Sequence, residues 1–122
     1  PCWEGMAARG LGLRHAGRGD RAAADGWLGE ATVRCNRTPD RYQWIHGYVL
    51  DAAAGEAVAR EDAAKARGLA AALGALAARC DMRELVVRSH LHRHRLGDGS
   101  ALAAARMLGR GIDNPELGRM LA

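Results

Sequence analysis

A ladder of small residues, set at the spacing of a helix-turn-helix, occurs three times in this chain and limits what it can fold into. The first copy reads Leu11-Gly12-x2-His15, then Gly19-Asp20, then Ala24-x3-Leu28-x2-Ala31. The second reads Ala53-Ala54-x2-Ala57, then Glu61-Asp62, then Ala66-x3-Ala70-x2-Leu73. The third reads Arg88-Ser89-x2-His92, then Gly97-Asp98, then Ala101-x3-Ala105-x2-Leu108. A small side chain at a fixed point of each helix lets a second helix approach closely. Three copies in register predict antiparallel helix pairs, each stacked on the next.

The composition agrees. Of 122 residues, 26 are alanine, the best helix former, and none is phenylalanine. β-branched residues are too few for a sheet. A length of 122 residues suits one domain, residues 1–122.

Helix start and stop signals divide the chain into seven helices. Trp3 to about Ala16 is a helical run, ended by Gly17-Arg18-Gly19. Asp20 caps a second helix to about Arg34. Thr38 is placed to cap a third, with Pro39 in its first turn, running to about Ala59. Asp62 caps the alanine-rich fourth, to Arg79. The fifth runs from Met82 to about Leu96, and Ser100 caps the sixth, to about Gly109. Asn114-Pro115-Glu116 opens a short last helix. The expected fold is all-α: hairpins at about residues 1–37, 38–80 and 81–111, then a closing helix at 114–122. Eight glycines inside these helices each cost roughly 1 kcal/mol against alanine, so the chain is expected either to need close backbone contact at some of them, Gly12 clearest, or to be only marginally stable.

The net charge is +4, and 17 of the 18 basic residues are arginine, Lys65 being the exception. The arginines are scattered along all the helices rather than gathered in one stripe, so a nucleic-acid face is the second reading and not the first. Under that second reading Arg88, Arg93 and Arg95, beside the histidines of the fifth helix, carry the binding. Cys2, Cys35 and Cys80 are odd in number and lack a CxxC, which predicts reduced thiols in a cytoplasmic protein. No apolar run is long enough to span a membrane, and none is expected as a partner. The opening at Pro1 is expected of a piece cut from a longer polypeptide.

Catalytic chemistry finds little to use. Ser89 and Ser100 are the only serines, Ser100 is spent as a cap, and Asp51 and Glu56 do not face each other on their helix. His90 and His94 share a face at a spacing that suits Zn²⁺, but no third ligand is evident and Arg93 and Arg95 oppose a cation. The chain is therefore expected to be no enzyme, to hold no metal and to need no cofactor.

The three ladders resemble the tetratricopeptide repeat, with Gly12, Ala54 and Ser89 as the small residue of the leading helix and Ala24, Ala66 and Ala101 opening the second. The third copy departs at Arg88, where a large apolar residue is usual, and its turn is short. Met82-Arg-Glu-Leu-Val-Val-Arg88, with Leu96-Gly-Asp98 and Ile112-Asp-Asn-Pro115, is similar to the carboxy-terminal repeats of large actinobacterial LuxR-type and other ATP-binding regulators. The resemblance implies a right-handed solenoid, acting as a sensor or protein-interaction arm in transcription regulation. Nucleotide and DNA binding lie in other domains of that family. Its partner would be a protein, a peptide, or another domain of the parent chain. In such repeats the leading helices line the concave side, which implies a partner groove of Arg9, Leu13, Tyr48, Asp51, Val87 and Leu91, with Met6 and Val58 beside them. Trp27, Trp44 and Tyr48 are expected to pack in the core or between repeats; the alternative for Trp44 and Tyr48, one turn apart, is one exposed ridge of that groove.

Overall fold

The computed structural model describes residues 3–37 and 41–122. Within them the chain forms seven helices and no strand: α1 (Trp3–Gly17), α2 (Arg21–Cys35), α3 (Gln43–Ala59), α4 (Ala63–Arg79), α5 (Arg83–Arg95), α6 (Ala101–Leu108) and α7 (Pro115–Leu121). The all-α expectation holds. None of these helices is long and apolar enough to cross a membrane.

Helix α1 packs on α2, α3 on α4 and α5 on α6, and each hairpin also meets the leading helix of the next. The small-residue ladder lies at helix contacts, within the first pair at Gly12 and across the α4–α5 junction at Ser89, which faces Gly74. Ala54, Ser89, Ala24, Ala66 and Ala101 are all buried, and so is Gly12. A Cβ added at Gly12 would meet Leu28 Cγ at 2.9 Å. Apolar burial follows the same order and forms three clusters rather than one centre. Ala8, Ala31, Cys35, Ile45 and Val49 join α1, α2 and α3, with Trp27 packed against them. Leu50, Leu73, Leu76, Ala77 and Leu85 join α3, α4 and α5. Val87, Leu91, Ala105 and Leu117 join α5, α6 and α7.

The turns are built as their residues dictate. Gly19, Glu61 and Gly97 hold the same place in the three hairpins, and all three have left-handed backbones, with φ of 77°, 61° and 94°. Glycine reaches that region without cost and glutamate does not. Asp20 and Asp62 then accept from the N–H of Ala23 and Lys65, as N-caps should. Asn114 caps α7 in the same way.

One cap assignment changes. Ser100 does not cap α6 through its side chain; its Oγ and its N–H both donate to Asp98 Oδ1, at 2.9 and 3.1 Å. The third turn is one residue shorter than the others between Asp and Ala, which moves the aspartate out of capping register. Helix α3 begins at Gln43, where the N–H of Tyr42 turns back to the carbonyl of Cys35 and the carbonyl of Tyr42 starts the helix by accepting from His46. The expected roles of Thr38, Pro39 and Asp40 lie outside the described residues, as does Cys2. Cys35 is buried as a small hydrophobe, whereas Cys80 is exposed, so packing does not account for that thiol.

Candidate functional site

A continuous strip of side chains crosses the three leading helices. It starts at Trp3 on α1, which is 66% exposed, and Trp44 on α3, which is 43% exposed. Their rings meet edge to face at 5.9 Å, and Trp44 meets Tyr48, one turn on, at 6.5 Å in the same geometry. Arg9 reaches from α1 across Tyr48. Its Nε donates to the Tyr48 carbonyl at 2.9 Å, and its guanidinium sits 6.0 Å from the ring centroid.

Three residues further along α3, the strip changes from aromatic to charged. The Asp51 side chain, 9% exposed, accepts from His92 Nε2 at 2.7 Å; the histidine side chain is 6% exposed. Arg88 lies 3.6 Å from the other Asp51 oxygen, 3.5 Å from Glu84 on its own helix and 4.0 Å from Glu116 on α7. The His92 ring lies over Gly55, where a Cβ would sit 3.5 Å from its Cε1. The other ring nitrogen, Nδ1, is buried with no partner in the protein. Such a nitrogen forfeits about 1–3 kcal/mol, which a buried network tolerates only when its other bonds are strong.

Of the six expected groove residues, four lie on or beside this strip and two do not. Arg9, Tyr48 and Asp51 are part of it, and Leu13 is exposed further along α1. Val87 and Leu91 are corrected: both are buried in the cluster that joins α5, α6 and α7, and neither offers surface to a partner. Their places on α5 point to α6 because Arg88, between them, takes the side facing α3. Met6 packs partly against the first cluster, and Val58 is half-buried.

The three arginines of the second reading are not brought together. Arg88 is only 18% exposed and sits among three carboxylates. Arg93 pairs with Asp98 at 2.6 Å. Arg95 is exposed by itself. Two features of the strip are absent from the expectations: His92 as the partner of Asp51, and Trp3 as the outer end of the aromatic run. His92 carried a signal, since it stands where the second ladder has Ala57, and a polar group in a buried ladder position needs a partner.

Among the described residues no group of three histidines, cysteines or acids is placed to hold a metal ion. No family model matches the sequence, and neither a curated protein nor a solved structure matches it.

Proposed function

We propose that the chain is a non-catalytic protein-interaction module of tetratricopeptide-repeat type, which binds an extended peptide segment across α1, α3 and α5. The observation that carries this is the exposed run of Trp3, Trp44 and Tyr48 with Arg9 laid over it. Trp, Tyr and Arg are the side chains that dominate binding at protein interfaces. Two tryptophans held edge to face and exposed to solvent contribute little to the three clusters beneath them. The hairpin order, the buried ladder and the three junction clusters support the solenoid arrangement in the same way. The similarity of Met82 to Arg88 and the segments after it to regulator repeats favours an arm of a larger cytoplasmic ATP-binding transcription regulator as the setting.

The charged half of the strip favours a peptide over a nucleic acid. Asp51, Glu84 and Glu116 surround Arg88 and offset its attraction for phosphate. The test is selection from a displayed peptide library on the immobilised protein, followed by titration against Trp44→Ala. Selected peptides should lose at least tenfold in affinity, about 1.4 kcal/mol, while the helical signal stays unchanged. Peptides that bind the variant equally well, or binding only to DNA with a steep loss in salt, would overturn the assignment.

A further inference from the structure

A second feature lies on the other flank of α5. A trough of about 720 Å³ runs between α4 and α5. Its α4 wall is almost without side chains: Ala71, Gly74, Ala75 and Ala78 form one stripe, and the three alanines are exposed. Helix α6 has only eight residues and packs on α5, leaving that stretch of α4 open.

The two ends of the trough differ. Helices α4 and α5 are antiparallel neighbours joined at Cys80–Met82, so Ala78 and Val86 face each other at the turn end. Arg67, eleven residues before Ala78, lies at the far end with Arg93, Leu96 and Asp98. At 1.5 Å per residue the stripe from Ala71 to Ala78 is about 10 Å long, and the whole wall from Arg67 to Ala78 about 16 Å. One end is thus bare and apolar. The other carries two guanidiniums and one carboxylate, a net charge of +1. Asp98 is engaged by Arg93, while Arg67 has no ion-pair partner among the described residues.

His90 stands on the α5 wall near the charged end. Burial, with Arg93 beside it, holds its imidazole below the ordinary value, so it is neutral at pH 7. Its Nδ1 is sealed off with no partner in the protein. Turning the ring about Cβ–Cγ would offer that nitrogen to a ligand in the trough and recover a lost hydrogen bond. A volume of this size is typical of small-molecule sites, which combine an apolar lining with a few convergent polar groups.

We propose that this trough binds a linear monocarboxylate amphiphile of the fatty-acid type, with its chain along the Ala71–Ala78 stripe and its carboxylate between Arg67 and Arg93. One net positive charge at one end matches a single anion. A wall of alanine and glycine admits a narrow methylene chain along its whole length.

Calorimetric titration with decanoate below its micellar concentration, and with decanol as the neutral partner, tests the assignment. Arg67→Gln should weaken decanoate at least tenfold and leave decanol within twofold. Ala75→Trp, at an exposed position, should fill the trough and abolish both. Trp44→Ala, on the aromatic strip, should change neither. Each variant is first checked for an unchanged helical signal and unfolding midpoint. The proposal fails if decanoate does not bind the unaltered protein, if Ala75→Trp binds it equally well, or if Trp44→Ala is the substitution that removes it. Capture of an acidic amphipathic helical peptide, blocked by Ala75→Trp, with no decanoate binding, would also overturn it and give the trough to a helix.

Discussion

Replacing Asp51 with leucine is expected to be among the costliest polar substitutions on α3, and replacing its partner as well is expected to restore most of the loss. The pair is nearly sealed from water, at 9% and 6% side-chain exposure, and bonded at 2.7 Å. A charge-assisted bond of this kind contributes about 1.5–3 kcal/mol. Removing the carboxylate deletes that bond and leaves His92 with two unsatisfied nitrogens, since Nδ1 is already alone. It also takes one of three counter-charges from Arg88. Together these give a cost of about 3–4 kcal/mol, within the range for breaking a buried pair. In a chain of this size each kcal/mol moves the melting temperature by about 3–5 °C, so a fall of about 10–15 °C is expected. His92→Phe keeps the ring, removes the orphaned nitrogen and leaves Asp51 its contact with Arg88, so it should cost about 1–2 kcal/mol. With both replaced, leucine packs on phenylalanine and no buried polar group is stranded, so the double variant should lie within about 1 kcal/mol of the starting protein. Urea unfolding followed by far-ultraviolet circular dichroism reads all four proteins. Single effects that simply add, with a coupling below about 0.5 kcal/mol, would refute the reasoning.

Glycines that look alike in the sequence should respond in opposite directions. Gly26→Ala and Gly68→Ala, where an added Cβ meets only open space, should each stabilise by about 0.5–1 kcal/mol, whereas Gly12→Ala drives a Cβ to 2.9 Å from Leu28 Cγ and should destabilise despite the better helix propensity; denaturant midpoints decide the sign. Stability should also fall as pH drops from about 7.5 to 5.5. Burial holds His46 and His90 below the ordinary 6.5, so the unfolded chain takes up protons first and the contribution present above that value is lost on acidification. The His46→Asn, His90→Asn double variant should flatten this slope in urea midpoints taken across the range.

The periodic part of the architecture was legible because it depends on side-chain size at fixed spacing. The capping aspartates Asp20 and Asp62 and the buried ladder needed no knowledge of distant contacts. What escaped depends on tertiary geometry. The backbone turn from Tyr42 to Cys35, a contact across seven residues, sets the start of α3 at Gln43. Repeat position puts Val87 and Leu91 in a groove, yet the short α6 and the closing α7 cover them. The trough was illegible for a different reason. Alanine and glycine announce no chemistry, and a cavity lined by them comes from what α6 fails to cover.

Three polar groups on the packed faces of α3 and α5 are best understood as one. Arg88 occupies a position where the first two copies have Leu11 and Ala53, His92 one where the preceding copy has Ala57, and Asp51 is a carboxylate on the buried face of α3. Taken singly, each is a polar group that should weaken the stack. Together they neutralise one another across the α3–α5 junction, with Asp51 bonded to His92 and set against Arg88. A junction held this way favours one pairing of hairpins over others, because a slipped neighbour would strand a buried charge. It also ends in the partly open group of Arg88, Glu84 and Glu116, beside the surface where the aromatic run lies. A single polar network therefore orders the third hairpin against the second and supplies the charged half of the proposed peptide-binding face.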